Sequence, residues 1–509
     1  MNSNSKIINI NQSTIQESIH TKNINIEELS LEQKIAYDKF ILGNNVFISG
    51  PGGTGKTKLI KYFVEYLTSI NKKFQVCAMT GCAANLLNCN ARTLHSWSGI
   101  RLAKGSKEEI IDSVLNNYKS INNWKQIKCL IIDEVSMLSV KIFIIIEELA
   151  RIIRKINLPF GGLQVIFTGD FYQLPPVCNN NDKESQQFCF ETPIWNNVFT
   201  IDNHIILKKI FRQNDPVYIN ILQQIRVGKL DSENIKILKK YVKRDLSTCE
   251  IIPTKLFSLR SKTDLVNSQM FSKIDEPIYS YDMITDINYS DPHNLTINYK
   301  KTSLSPKAIE YEINQLKNSI SCKQVLQLKK NALVMCTINL DLPNGICNGA
   351  QGIIIGFTNS TPSFPVVKFN NGIIKTISTH YWVSEVSSSI AIGQLPLTLA
   401  WAITIHKIQG ATLKNAEIDI GRTIFEAGQT YVALSRIQSL DGLYLSAFDP
   451  SKIITNSVVN DFYDNISTSD LTEYHFSSST VFNQNKNSNI DNSNIDNSND
   501  NKLIKIIKL

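Results

Sequence analysis

The amino-acid sequence predicts an α/β fold made of two successive parallel-sheet regions, the second of which carries a small β-rich insertion. Short apolar runs typical of buried strands alternate with segments in which apolar residues recur at helical spacing. Each apolar run of the first region ends in polar or glycine residues, and the alternation returns near the end of the chain. Because the carboxyl ends of parallel strands share one edge of a sheet, these polar ends predict a ligand-binding edge.

The composition is that of an ordinary soluble protein. Of 509 residues, 42% are hydrophobic and 19% are charged, and a chain of this length is expected to form about two to four domains. The formal charge of +8 favours polyanionic partners only weakly. The ten cysteines include no C-x-x-C pair, which argues against a zinc site or a disulfide framework and favours a reducing, intracellular location. No apolar run approaches the length of a membrane span.

The first parallel-sheet region is assigned to residues 26–200 and follows an arm, residues 1–25, that we expect to be flexible. Apolar residues recur at helical spacing within 26–40 and within 140–156. Four apolar runs predict buried strands, at 46–48, 74–80, 129–132 and 163–168. Strands alternating with helices in this way predict a parallel sheet.

The second region is assigned to residues 201–465. It contains a predicted helix around 219–226 and a predicted strand at 255–259. Between residues 325 and 385, β-prone runs separated by Asn-Gly turns predict an inserted barrel or hairpin module. Residues 466–509 repeat the sequence NSNID and form a polar, low-complexity tail that we expect to be disordered.

A glycine-rich loop, GPGGTGKT, follows the first predicted strand and precedes a predicted helix. Its glycines allow the backbone to wrap a polyphosphate, with the N–H groups directed at the phosphate oxygens. Lys56 would supply a point charge to the β- and γ-phosphates of ATP, and Thr57 a hydroxyl to Mg²⁺. The flanking strand and helix favour this interpretation over an ordinary glycine-rich turn. The residues expected to cradle the phosphates are Gly50, Pro51, Gly52, Gly53, Thr54 and Gly55.

Polar residues end the third and fourth predicted strands. Asp133 is the expected ligand on the Mg²⁺ side, usually through water, and Glu134 is the expected general base that activates the attacking water. Gln173, in the segment GDFYQLPP, could sense a γ-phosphate and orient water, or be an ordinary surface turn residue.

Two arginines are candidates for the fingers that offset charge developing on a transferred phosphoryl group. Arg212 lies in KKIFRQ and Arg436 in YVALSRIQ. Each could equally form a structural salt bridge. Since both fall in the second assigned region, we expect them to act across a cleft between the two regions, which ATP would open and close.

A further group of residues could grip nucleic-acid phosphates without reading sequence, because hydroxyls, imidazoles and backbone N–H groups at strand ends suit that task. A lone histidine is usually structural, so the two histidines carry little weight from their residue type alone. The candidates are Thr80, Gly81, Thr93, His95, Thr404, His406, Lys407 and Thr412.

Eight segments appear together in a recognisable order: GPGGTGKT, MTGCAA, TLHSW, IIDEVSML, GDFYQLPPV, IFRQ, AITIHKIQGATL and YVALSR. In this order they resemble superfamily 1 helicases, and specifically the petite-integration-frequency (PIF) DNA helicase family, which is related to the RecD type. The stretch EELARIIRKINLPFGGLQVIFTGD, residues 147–170, resembles the signature of that family. The resemblance covers roughly residues 25–465 and departs from the family at Met79 and Cys82, where proline and isoleucine are usual.

The resemblance implies two RecA-like domains with ATP and Mg²⁺ between them, single-stranded DNA across their tops, and 5′-to-3′ translocation that unwinds duplex junctions. It implies that Gln33 contacts adenine and that Gly410 lies near the γ-phosphate. It makes Arg212 and Arg436 the two fingers. It also implies that the insertion is an SH3-like module and that residues 95–125 form a wedge, and we expect a monomeric helicase core with no membrane partner.

Two other functions remain open at this stage. One is an RNA helicase of the up-frameshift type, which the 147–170 stretch disfavours. The other is a single-strand-binding ATPase without robust unwinding. A binding module whose ATPase has lapsed is disfavoured, because every expected catalytic position carries a competent residue.

Overall fold

The computed structural model describes residues 28–467 except for a few interior positions. The positions outside the description are 88, 102, 104, 177–181, 247–251, 291–303, 321, 342–343, 385–386 and 388. The predicted arm, 1–25, and the predicted tail from residue 468 onward lie outside the described residues. Within the described part of the chain, no helix combines the length and apolarity needed to cross a membrane.

A parallel six-stranded sheet organises the first region. Its strands are β1 (Val46–Ser49), β2 (Phe74–Ala78), β3 (Arg92–Thr93), β4 (Cys129–Asp133), β5 (Gln164–Gly169) and β6 (His204–Ile206). They lie in the order β3-β2-β4-β5-β1-β6. Strands β1, β4 and β5 are buried along their whole length, as their unbroken apolar runs predict.

Helices cover both faces of this sheet. They are α1 (Leu31–Ile41), α2 (Lys56–Ser69), α3 (Gly81–Leu87), α4 (Leu94–Ser98), α5 (Lys107–Leu115), α6 (Tyr118–Gln126), α7 (Val140–Arg154) and α8 (Ile194–Val198). Helix α1 begins at a capping box in which Ser30 and Gln33 satisfy each other's backbone N–H groups. Helices α4 to α6 fall in the predicted wedge segment, where Trp97 and Trp124 are buried against each other with ring centroids 4.6 Å apart.

The second region combines a parallel sheet with antiparallel strands. Its strands are β7 (Thr254–Phe257), β8 (Tyr279–Asp282), β9 (Ile284–Asp286), β10 (Val325–Leu328), β11 (Leu333–Cys336), β12 (Gln351–Phe357), β13 (Pro365–Phe369), β14 (Ile374–Thr376), β15 (His380–Val383), β16 (Ala391–Gln394), β17 (Leu397–Leu399), β18 (Ala402–Thr404), β19 (Ala416–Ile420) and β20 (Leu443–Phe448). Its helices are α9 (Pro216–Arg226), α10 (Ser232–Lys239), α11 (Arg260–Ser272), α12 (Pro306–Ser319), α13 (Gln429–Leu434) and α14 (Ser457–Ser467). The parallel sheet has the order β18-β7-β19-β20.

The antiparallel strands form the predicted insertion. Five of them make one sheet in the order β14-β13-β12-β11-β17, and the others form the small sheets β10-β8 and β15-β16-β9. The strands therefore extend beyond the predicted 325–385 at both ends, from β8 to β17. Strands β8 and β9 escape sequence analysis because they are short and largely exposed, so they lack a clear apolar period.

Two elements cross the predicted boundaries between the regions. Strand β6 pairs in parallel with β1, so the first sheet continues past the boundary set at residue 200. Helix α14, at the end of the second assigned region, contributes Val459, Tyr463 and Ile466 to the apolar core of the first region. A linear sequence does not reveal such returns, because the pairing partners are distant along the chain.

Candidate nucleotide site

The glycine-rich loop connects β1 to α2 as predicted. Gly53 and Gly55 have φ of 89° and 83°, a left-handed backbone that favours glycine. The Lys56 ammonium donates to the carbonyl oxygens of Gly50, at 2.7 Å, and Pro51, at 3.1 Å. Burial lowers the pKa of Lys56. The loop thus encloses a lysine at the carboxyl end of a central strand, while Thr57 is exposed at the start of α2.

Gln33 lies against the outer side of this loop. Its side-chain Oε1 accepts from the Ser30 N–H at 2.9 Å, and its Nε2 donates to the Thr54 carbonyl at 3.0 Å. A Cβ placed on Gly55 would come within 2.7 Å of that Nε2. Gln33 therefore braces the loop, and its predicted contact with adenine remains a prediction.

The two acidic residues lie where β4 ends. An Asp133 side-chain oxygen accepts from the Thr168 hydroxyl and, at 2.9 Å, from the Glu134 N–H. Glu134 has a left-handed backbone with φ of 57°, and its side chain accepts from the Gln409 amide at 3.2 Å. Burial raises the pKa of both carboxyls, and the neighbouring Asp133 raises the pKa of Glu134 further. A glutamate whose pKa is raised is suited to accepting a proton from water.

Gln173 and Asp170 follow β5. Gln173 is buried, and its backbone N–H donates to the Asp170 carbonyl at 2.8 Å. Asp170 is fully buried and binds the Arg226 guanidinium through two nitrogens, the closer at 2.8 Å. Gln173 is therefore placed by a fixed loop rather than by an exposed surface turn.

The two candidate finger arginines converge on the glycine-rich loop. A Cβ placed on Gly52 would lie 3.4 Å from Nη1 of Arg212 and 3.5 Å from Nη2 of Arg436. Arg212 donates to the Ser435 carbonyl at 3.1 Å, while Arg436 donates to the Val432 carbonyl at 3.0 Å. Among the residues that the structure describes, neither guanidinium is paired with a carboxylate. Among these residues, therefore, the two side chains do not form the structural salt bridges that the sequence left open.

Burial and charge repulsion both disfavour the charged form of Arg436. Burial, and then the charge of Arg212, lower the pKa of Arg436 to about 9. A buried Arg436 and a half-buried Arg212 that repel each other beside a loop of backbone N–H groups would be stabilised by a bound polyanion. This arrangement favours a polyphosphate as the ligand.

Arg212 was predicted to lie in the second region, but the structure attaches it to the first. It lies between β6 and α9, and the N–H of the preceding Phe211 donates to the Gly53 carbonyl at 2.8 Å. The backbone of this connecting segment is therefore attached to the glycine-rich loop itself. Of the two arginines, it is Arg436, which follows α13, that reaches the loop from the second region. The prediction that both arginines act across a cleft was wrong for Arg212, because β6 extends the first sheet.

Two site residues escaped the sequence analysis. The Tyr431 hydroxyl accepts from the Gly52 N–H at 2.9 Å, and Gln409 holds Glu134 as described above. Both lie within segments of the recognised motifs, YVALSR and HKIQG. The sequence did not predict their roles, because each role depends on a contact with a residue more than 250 positions away.

The residues proposed to grip nucleic acid lie at strand ends in both regions. Thr80 and Thr93 use their hydroxyl oxygens to accept from backbone N–H groups three residues ahead, at 3.2 and 3.3 Å, and these bonds leave each O–H able to donate. Burial lowers the pKa of His95, favouring its neutral form. The other residues of this set are Gly81, half-buried at the start of α3, Thr404, buried, His406 and Lys407, exposed, and Thr412, half-buried.

The two strand-end groups approach each other where Gly410 meets α3. Gly410 has φ of 83°, and a Cβ placed on it would come within 2.7 Å of the Leu86 side chain. Helix α3 begins at Gly81, directly after Thr80. The loop that carries His406 and Lys407 thus adjoins the helix that follows β2, on the side of the molecule that holds Glu134.

Comparison with known proteins agrees with this geometry. Residues 28–236 match the model of the PIF1-like helicase family, and residues 312–357 match the model of the 2B domain of DNA helicase Pif1. The chain is 35% identical over 439 residues to the ATP-dependent DNA helicase PIF1 of Danio rerio, covering 86% of this chain and 64% of that protein. The chain thus spans about two-thirds of the length of such curated relatives.

Solved structures extend the likeness to the fold. Pif1 helicase from Candida albicans aligns with a TM-score of 0.69 and 32% identity, over 86% of this chain and 99% of that one. Pif1 helicase from Bacteroides, in complex with ADP-AlF3 and single-stranded DNA, aligns with a TM-score of 0.57 and 28% identity, over 87% of this chain and 98% of that one. The two sheets thus form a RecA-like α/β fold, and this chain belongs to the PIF1-like helicase family.

Proposed function

We propose that the chain is an ATP-dependent DNA helicase that moves 5′ to 3′ on single-stranded DNA and separates duplex DNA. One observation carries the proposal: Arg212 and Arg436 converge on Gly52 without carboxylate partners among the described residues. A polyphosphate in the loop would thereby contact side chains from both regions. Binding and release of that ligand would change how tightly the regions meet, which is the requirement for a motor.

The residues of the loop and of the first sheet would bind ATP and activate water. Lys56 would transfer its hydrogen bonds from loop carbonyls to phosphate oxygens, and Gln173 would orient the attacking water. Glu134 would accept a proton from that water, with Gln409 holding its carboxylate in place. Arg212 and Arg436 would offset the charge that develops on the transferred phosphoryl group.

Mg²⁺ fits the oxygen donors that the site provides. Thr57 offers a hydroxyl at the start of α2, and Asp133 a carboxylate at the end of β4. Mg²⁺ is usually held by one or two carboxylates together with phosphate oxygens and water, and when bound it neutralises phosphate charge. The Thr168 hydroxyl and the Glu134 N–H hold Asp133 in position for this.

Single-stranded DNA would cross the strand ends of both regions. Exposed His406 and Lys407 offer phosphate contacts in the second region, and Thr93 and His95 do so in the first. Such contacts grip the backbone without reading sequence. The chain would then act as a monomer at single-strand/duplex junctions inside the cell, in DNA replication, repair or recombination.

The test measures hydrolysis and unwinding together. Wild-type protein should hydrolyse ATP faster with single-stranded DNA than with RNA of the same length. Lys56→Ala should not hydrolyse ATP with either nucleic acid. Unwinding should occur on duplexes with a 5′ overhang. Unwinding restricted to 3′ overhangs would contradict the polarity, stronger stimulation by RNA would favour the RNA helicase, and hydrolysis equal in wild type and Lys56→Ala would contradict the ATPase.

A further inference from the structure

Helix α14 is anchored in the first region although it follows the second in the chain. Its Phe462 stacks on Phe190, with ring centroids 4.1 Å apart and an interplanar angle of 20°. The ring of Tyr463 stacks on Tyr172 at 4.9 Å and 11°. Tyr172 lies in the segment that leads from β5 to Gln173. The helix is thus held by aromatic contacts against a segment of the nucleotide site.

The Tyr463 hydroxyl connects two separate parts of that site. It is hydrogen-bonded to the Ser49 hydroxyl at 2.5 Å and accepts from the Phe171 N–H at 3.1 Å. Ser49 is the last residue of β1 and directly precedes Gly50 of the glycine-rich loop. Phe171 begins the turn that positions Gln173. This buried hydroxyl therefore links Ser49, directly before the glycine-rich loop, to the turn that carries Gln173.

The ring of Tyr463 also faces a buried ion pair. The Arg226 guanidinium lies 5.2 Å from the Tyr463 ring centroid and 4.4 Å from that of Tyr172. The same guanidinium binds Asp170, the residue before Phe171, at 2.8 Å. Cation–π contacts are stronger in a desolvated setting than at an exposed site, so this ring supports the position of the 170–173 turn from a second direction.

The segment leading to α14 contacts the opposite side of the site. The Thr430 hydroxyl donates to the Lys452 carbonyl at 2.8 Å, and the Gly428 N–H donates to the Ile454 carbonyl at 3.2 Å. These residues begin α13, which carries Tyr431 and is followed by Arg436. Residues 452–463 therefore contact α13 at one end and β1, which leads into the glycine-rich loop, at the other.

We infer that Tyr463 is a positioning residue for nucleotide hydrolysis, whose hydroxyl fixes the spacing between the glycine-rich loop and the turn that carries Gln173. The inference rests on the proposed ATPase activity. Groups that act on a phosphoryl transfer must be held to within about 0.5 Å, and they depend on the side chains that support them. By this argument α14 belongs to the ATPase, which it reaches through Ser49, the residue directly before the glycine-rich loop.

Tyr463→Phe tests the inference because it removes the hydroxyl and keeps the stacked ring. We expect kcat for ATP hydrolysis to fall about fivefold with little change in KM, because the bonds to Ser49 and from the Phe171 N–H are lost while the groups that bind the nucleotide remain. Ser49→Ala removes the same bond from the other partner and should lower kcat similarly. The kcat of the double variant should be close to that of the slower single variant, because both substitutions break the same connection.

Tyr281→Phe is the matched control. Its hydroxyl also donates one 2.8 Å bond, to the Ser363 carbonyl, but in the β-rich insertion. This variant should keep the wild-type kcat at a temperature well below its unfolding midpoint. A Tyr463→Phe enzyme with the kcat of Tyr281→Phe would overturn the inference. If Tyr463→Phe does not fold, an unchanged kcat in Ser49→Ala would overturn it instead.

The ATPase proposal and this inference fail in distinguishable ways. Wild-type hydrolysis no faster than that of Lys56→Ala would remove the proposed function and the inference with it. Wild-type hydrolysis well above Lys56→Ala, combined with full activity in Tyr463→Phe and Ser49→Ala, would remove the inference alone.

Discussion

The two sides of the nucleotide site are built in different ways. The loop side is continuous in sequence: residues 50–57 join a central buried strand to a helix, and the loop's own carbonyls hold Lys56. The α13 side is assembled from distant residues, since Tyr431 and Arg436 reach Gly52 from the second region. The glycine-rich loop thus indicates only that a polyphosphate binds, whereas the residues of the α13 side indicate which reaction the bound polyphosphate undergoes.

The electrostatics of the two sides also differ. On the loop side, Asp133 and Glu134 lie near Lys56, so charges of both signs occur together. On the α13 side, Arg436 is repelled by Arg212 of the segment after β6, and both guanidiniums donate to carbonyl or hydroxyl oxygens of this side. Because a buried cation without a counter-ion is costly, the α13 side should gain more from an incoming phosphate. It is the side expected to respond to nucleotide.

Removing the Arg212 side chain should have the largest effect on turnover, because its guanidinium contacts both sides. Arg212→Ala is expected to lower kcat by about 10³-fold or more, while ATP affinity falls far less, as for an arginine finger. Steady-state hydrolysis and equilibrium binding of a non-hydrolysable ATP analogue measure the two effects. Arg260→Ala, at an exposed arginine paired with Asp264, should change neither. Equal losses of affinity and kcat would show that Arg212 only binds ground-state nucleotide.

Disabling the base on the loop side should come next. Glu134→Gln keeps an oxygen for the Gln409 amide but cannot take a proton, so ATP binding should persist while turnover falls by about 10²–10⁴-fold. A rapid-quench assay measures the chemical step directly. Glu65→Gln, on the exposed face of α2, serves as the control. Loss of ATP binding in Glu134→Gln would show that the role of Glu134 is structural.

The contact between Gln409 and Glu134 predicts a smaller effect, on pH dependence. The Gln409 hydrogen bond lowers the pKa of Glu134 against the raising effect of burial, so Gln409→Ala should raise that pKa further. A general base works when unprotonated, so activity is present above its pKa and is lost as the pH falls through it. The acid limb of the kcat profile should therefore move to higher pH in Gln409→Ala and stay in place in Gln269→Ala, on the exposed face of α11. A limb that stays or moves lower would contradict this contact.

The sequence predicted the loop side of the site well for a physical reason. Buried parallel strands are unbroken apolar runs, and a phosphate-binding loop must be continuous, so residues 46–57 contain their own structural signal. The same holds for Asp133 and Glu134, which end such a run. The order of motifs then identified the family.

What the sequence missed depends on long-range contacts. Tyr463 belongs to the site through Ser49, 414 positions away, and no local period marks that bond. Strand β6 was assigned to the wrong region because its three residues do not reveal that they pair with β1. The boundary set at residue 200 therefore placed Arg212, in the segment after β6, in the wrong region.

We expect Arg436, from the second region, to complete a site whose loop lies in the first. Arg436→Lys tests it most directly, since it keeps the charge and removes the planar fork of donors. The measurement pairs single-turnover ATP hydrolysis with analogue binding in the presence of single-stranded DNA. We expect near wild-type binding of the analogue and a hydrolysis rate lower by about tenfold or more. Wild-type hydrolysis in a folded Arg436→Lys protein would contradict it.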